Sequence, residues 1–93
     1  MTIENMKNIL KEFVPKYHIT KITLFGSRAN NSNREDSDVD LIIEFSRPVS
    51  LIILSELKFE MEEALNLSVD IIHGPIKETD MIEVGKEIVL YAA

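Results

Sequence analysis

Ninety-three residues without cysteine, 45% of them hydrophobic and with a net charge of −6, describe one small globular domain that buries roughly 60–65% of its unfolded surface. No apolar run reaches the ~20 residues of a membrane-spanning helix, and Met1-Thr2-Ile3-Glu4 lacks the basic start of a secretory signal, so a cytoplasmic protein is expected. The acidic balance argues against gripping bare nucleic acid by its phosphates, yet it leaves room for a nucleotide whose charge a metal neutralises.

In chain order, Thr2 is placed to cap a first helix in which Ile3, Met6, Ile9, Leu10, Phe13 and Val14 share one stripe, and Pro15 should end it. Lys16 to Ile19 reads as a connector. Ile22, Thr23, Leu24 and Phe25 have strand composition, which predicts a first strand over about 21–25. Arg28 to Asn31 suggests a short helical turn, followed by a polar stretch to Ser37. A second strand is expected over about 38–45, broken by Ser46-Arg47-Pro48. A longer helix over about 50–66, capped by Ser50, carries Leu51, Ile53, Leu54, Leu57, Met61, Ala64 and Leu65 on a broad stripe. Ile52 and Phe59 fall together on the opposite face, beside Glu56 and Glu63, and are expected to meet a partner. A third strand over about 68–73 closes at Gly74-Pro75. A last helix over about 77–84, capped by Gly85, and an edge strand over 88–91 complete the chain. The order predicts an α/β fold: a small mixed sheet with helices mainly on one face.

The chemistry-bearing stretch is Lys21 to Phe45. Its first strand ends in Gly26-Ser27, ten residues follow, and Asp38-Val39-Asp40 opens the second strand. Residues two apart on a strand point to the same face, so Asp38 and Asp40 can share a hard divalent cation of the Mg²⁺ type. Backbone N–H groups and a hydroxyl at Gly26-Ser27 can hold a phosphate. Asp70 alternates with apolar Val69 and Ile71 and so faces away from the side they bury. Asp36, Asp38 and Asp40 have the opening spacing of an EF-hand, but Leu41 stands where that loop needs Gly and Arg47 where it needs Glu. No Gly-Lys-Ser/Thr follows the glycine, which excludes a Walker loop. His18 and His73 lack the companions of a zinc site and are read as structural or surface residues.

Gly-Ser, ten residues and Asp-x-Asp, matched by Gly26, Ser27, Asp38 and Asp40, resemble the nucleotidyltransferase superfamily built on the DNA polymerase β palm. More narrowly, the chain resembles the minimal nucleotidyltransferases that accompany HEPN-domain toxins, and Asp70 matches their third acidic position. Asn30-Asn31 departs from the Arg-Gly that many members carry. The resemblance implies transfer of a nucleoside monophosphate, AMP from ATP, to a hydroxyl. Asp38 and Asp40 would hold two Mg²⁺ ions, Gly26 and Ser27 the departing phosphates, and Asp70 would complete a metal site and take the acceptor's proton. Arg28 serves equally well as a phosphate contact or as a partner for nearby acids. With no second domain to hold a small substrate, the acceptor is expected to be a protein. The family implies a HEPN-type toxin ribonuclease modified on tyrosine, this chain being its antitoxin in a hetero-oligomer. Neutralisation by contact alone, or a transferase subunit whose small-molecule acceptor sits on a separate chain, stay open as alternatives.

Overall fold

The computed structural model describes residues 2–26, 29, 38–75 and 87–93. Helix α1 (Ile3–Leu10) opens at Thr2, whose hydroxyl accepts from the Asn5 N–H at 3.1 Å, satisfying one of the donors that a helix start leaves free. The stripe expected to run on to Pro15 is broken at Lys11, and a second short helix, α2 (Phe13–Tyr17), follows. Pro15 is the third residue of α2. There its missing N–H has no intrahelical partner to lose, so this proline sits in a helix start rather than at a helix end. His18 then takes the left-handed conformation (φ 57°) and closes α2 through its N–H to the Val14 carbonyl.

Four strands form one sheet in the order β3-β2-β1-β4. Strand β1 (Ile19–Phe25) starts two residues before the predicted one and pairs antiparallel with β2 (Val39–Phe45) and with β4 (Ile88–Ala92). Strand β3 (Val69–His73) runs parallel to β2. Parallel neighbours require a crossover, and helix α3 (Leu51–Leu65) supplies it. Ser50 caps α3 by accepting from the Ile53 N–H at 3.2 Å, and Asn66 ends it in the left-handed conformation. Beyond that end, Glu62 Oε2 accepts from the Val69 N–H at 3.0 Å. The helix therefore holds the first residue of the strand it leads into. The helix expected over 77–84 lies outside the described residues.

The core is one cluster between the helices and one face of the sheet. Met6 and Leu10 of α1, Leu57 and Met61 of α3, and Ile22, Leu24, Leu41 and Ile43 of the central strands are all fully buried in it. An irregularity in the β1–β2 pairing after Ile19 lets Ile19 and Ile22, an odd number apart, both join this cluster. Another between β1 and β4 does the same for Leu90 and its neighbour Tyr91. The α3 stripe is narrower than hydropathy suggests. Leu57, Met61 and Leu65 form a buried i, i+4, i+8 row, Leu54 is half-buried, and Leu51, Ile53 and Ala64 are exposed. Apolar character alone does not tell a residue facing the sheet from one facing outward. Among the described residues, no helix is long and apolar enough to cross a membrane.

Candidate active site

Strand pairing gathers the acidic residues at one end of the sheet. Because β2 is antiparallel to β1, its first residues lie beside the last residues of β1, and Asp40 stands opposite Phe25. Because β3 is parallel to β2, its first residues lie at that same end, and Asp40 stands opposite Asp70 on the other side. Val39, Leu41 and Val69 turn into the core, so strand alternation turns Asp40 and Asp70 to the opposite face of the sheet. Asp38 is exposed immediately before β2.

Like charges directly opposite one another destabilise a sheet. Burial pushes the Asp40 carboxyl above its ordinary value near 3.8, and the negative charges of Asp70 and then Asp38 push it further the same way. Such an acidic end, made wholly of oxygen donors, suits a hard divalent cation. Among the described residues no three acidic or imidazole side chains are already gathered closely enough to cage an ion. Magnesium sites commonly use one or two carboxylates and take their remaining ligands from phosphate and water, so these residues fit.

Gly26 forms the opposing wall. It has φ +77°, and a Cβ built on it would overlap Asp40 Oδ2 and stand 3.3 Å from Asp40 Cγ. Only glycine allows both the left-handed backbone and this close approach to the carboxylate. Its carbonyl accepts from the Ala29 N–H at 3.2 Å, which turns the chain away from the strand. Ser27 and Arg28, expected to bind nucleotide with Gly26, lie outside the described residues.

The two histidines stand apart from this chemistry. The His18 carbonyl accepts from the Ser46 N–H at 2.9 Å, tying the start of β1 to the end of β2. His73 meets the Phe45 ring edge-on at a centroid distance of 5.4 Å. Ile52 and Phe59 are exposed on the outer face of α3, as the periodicity suggests. The Glu62 contact that fixes Val69, one residue before Asp70, has no signature in sequence spacing.

A carboxylate pair across adjacent strands, beside a strand-end glycine, is the arrangement expected of a nucleotidyltransferase palm. The chain belongs to the family described as the nucleotidyltransferase domain, whose model matches residues 3–90. A Methanocaldococcus jannaschii protein named as a candidate protein adenylyltransferase is 39% identical over 75 residues, 76% of this chain and 76% of that protein. The protein adenylyltransferase MntA of Thermococcus cleftensis is 34% identical over 76 residues, 77% of each chain. Among solved structures, a candidate minimal nucleotidyltransferase superposes with a TM-score of 0.74 at 26% identity, covering 95% of both chains. A toxin-antitoxin structure with AMP-PNP gives a TM-score of 0.78 at 20% identity, covering 94% of this chain and 73% of that one. The MNT antitoxin complexed with a tri-AMPylated HEPN toxin of Shewanella oneidensis gives 0.74 at 18% identity, covering 99% and 74%.

Proposed function

We propose that this chain is a protein adenylyltransferase that moves AMP from ATP to a hydroxyl of a HEPN-type toxin and so acts as its antitoxin in the cytoplasm. The observation that carries this reading is the register of β2 and β3, which sets Asp40 opposite Asp70 and beside Asp38 at the end of β1 where Gly26 turns the chain. The reading is further supported by relatives named for protein adenylyltransferase activity and by the fold shared with an antitoxin bound to an AMPylated toxin.

In the reaction, a bond forms between the acceptor oxygen and the α-phosphorus of ATP, the bond from that phosphorus to the bridging oxygen breaks, and pyrophosphate leaves. Asp38, Asp40 and Asp70 are the residues that would hold two Mg²⁺ ions, which when bound supply positive charge to the attacking and leaving oxygens. Gly26 keeps the space before Asp40 free of side chain, so that the triphosphate can approach the strand end. In this reading the Gly26-Ser27-Arg28 segment would supply N–H groups, a hydroxyl and a guanidinium to the departing phosphates. Asp70, exposed on the sheet face opposite the core cluster, takes the acceptor proton.

The test is mass spectrometry of the toxin after incubation with this protein, Mg²⁺ and each nucleoside triphosphate. The expected result is a gain of one or more AMP units with ATP. It should be lost in Asp38→Ala with Asp40→Ala and slowed in Ser27→Ala, which removes one hydrogen bond among several. If the double variant protects cells from the toxin as well as the parent and no nucleotide is found on the toxin, neutralisation is by contact alone.

A further inference from the structure

A second surface lies on the outer side of the helix layer, away from the carboxylates. Leu51, Ile52 and Phe59 are 82%, 75% and 62% exposed there. With Lys16, Tyr17 and Glu60 they line a groove of about 740 Å³ between α2 and α3. The floor is organised. The Lys16 ammonium pairs with Glu60 and lies 5.5 Å from the centroid of the Tyr17 ring, which joins the two helices across the groove. Three large apolar side chains clustered in one concavity are not the singly scattered exposed residues of an ordinary surface.

Charge indicates what covers them. Ile52, Glu56, Phe59 and Glu63 follow one another at i, i+4, i+7 and i+11, so apolar and acidic side chains alternate along one line of the helix. Across α3 there are four glutamates and one lysine. Glu62 is engaged with Val69 and Glu60 with Lys16, while Glu56 and Glu63 are exposed and, among the described residues, make no ion pair. The last turn of α3 contains no basic residue, although the carbonyl end of a helix favours cations and is disfavoured by carboxylates. A second copy laid along this face would set acidic α3 against acidic α3, an arrangement that like-charge repulsion opposes.

We infer that the α2–α3 groove docks an amphipathic helix of a partner protein, one with an apolar stripe flanked by lysine or arginine. Leu51, Ile52 and Phe59 receive the stripe, and Glu56 and Glu63 receive the basic flank. A helix laid in an apolar groove is read through anchors spaced like these. Docking here requires no transfer chemistry and lies away from the sheet face that carries Asp40 and Asp70. The surface therefore stands or falls separately from the adenylyl transfer proposed above.

The probe is a synthetic 18-residue Leu/Lys amphipathic helix, matched with a Leu/Glu peptide of the same apolar pattern. Binding is measured by fluorescence anisotropy at two salt concentrations. The full-length parent should bind the Lys peptide, more weakly at high salt, and should not bind the Glu peptide. Ile52→Ser with Phe59→Ser should weaken the Lys peptide at least tenfold with its melting curve unchanged, because both side chains are exposed. Glu56→Lys with Glu63→Lys keeps the apolar anchors, and should weaken the Lys peptide and admit the Glu peptide. Equal binding of the Lys peptide to the parent and both variants would reduce the effect to diffuse charge and overturn the proposal. It would equally be overturned by a parent that is dimeric in sedimentation velocity and monomeric after the Ile52→Ser and Phe59→Ser changes, since the occupant is then a second copy.

Discussion

Replacing Asp40 by Asn should make the protein more stable without metal and unresponsive to nucleotide. Neighbouring strands stand about 4.8 Å apart, so carboxylates opposite one another on one face are separated by ~5–6 Å. Coulomb's law at an effective dielectric of about 20 gives about 3 kcal/mol of repulsion at that distance. Because Asp70 is exposed and Asp40 only half-buried, solvent screens this to about 1–2 kcal/mol, and Asp38 adds in the same direction. For a domain of this size 1 kcal/mol moves the melting temperature by roughly 4–8 °C, so Asp40→Asn should melt about 5–10 °C higher than the parent in EDTA. The raised Asp40 carboxyl also fixes the sign of the pH dependence. The folded state binds this proton more tightly than the unfolded state, so the parent loses stability as pH rises from near 3.8 through the raised value. The variant lacks that loss, and the gap between the two should close in acid. Saturating Mg²⁺ and ATP at about a hundred times the dissociation constant should stabilise the parent by about 2.7 kcal/mol and leave the variant unmoved. Equal stabilisation of both proteins, or a variant no more stable than the parent in EDTA, would refute the assignment of Asp40 as a charged ligand.

Three further changes test the frame around the site. Gly26→Ala should cost about 1–3 kcal/mol, through its left-handed backbone and the collision with Asp40; calorimetry would show the loss, and transfer should cease. Glu62→Ala removes the acceptor of the Val69 N–H, so that amide should exchange faster by NMR while the Ile22 and Leu41 amides keep their protection. Ser50→Ala removes the α3 cap and should lower stability by about 0.5–2 kcal/mol in urea titrations, with transfer per folded molecule unchanged.

What was legible in the sequence was local. Alternation along Val69, Asp70 and Ile71 was enough to turn Asp70 away from the core, and the hydroxyls of Thr2 and Ser50 marked two helix starts. The identity of the site came from the spacing of Gly26-Ser27 and Asp38-Val39-Asp40 and from its resemblance to a family. The pairing of Asp40 with Asp70 could not be read this way, because it depends on a parallel pairing closed only by α3. Pro15 misled because one residue type serves both helix starts and helix ends, and the turn at Lys11 that decides between them has no strong breaker. Leu51 and Ile53 misled because a face awaiting a partner and a face turned to the core have the same hydropathy. The strand irregularities that bring Ile19 and Tyr91 to the core were invisible for a related reason: they are set by which strands meet.

Among the described residues, strand β3 is an edge strand, flanked by β2 alone in the sheet and held at its start by the Glu62 side chain. Edge segments with few partners open at lower free energy than the strands between them. In the ligand-free protein the carboxylates add outward pressure on this margin, because repulsion with Asp40 is relieved when Asp70 swings away. On the proposed function, a bound cation and nucleotide would reverse that pressure and draw the margin shut. Proteases cleave what opens, so a cell's supply of magnesium and ATP would set how long each molecule of this protein survives as well as how fast it works.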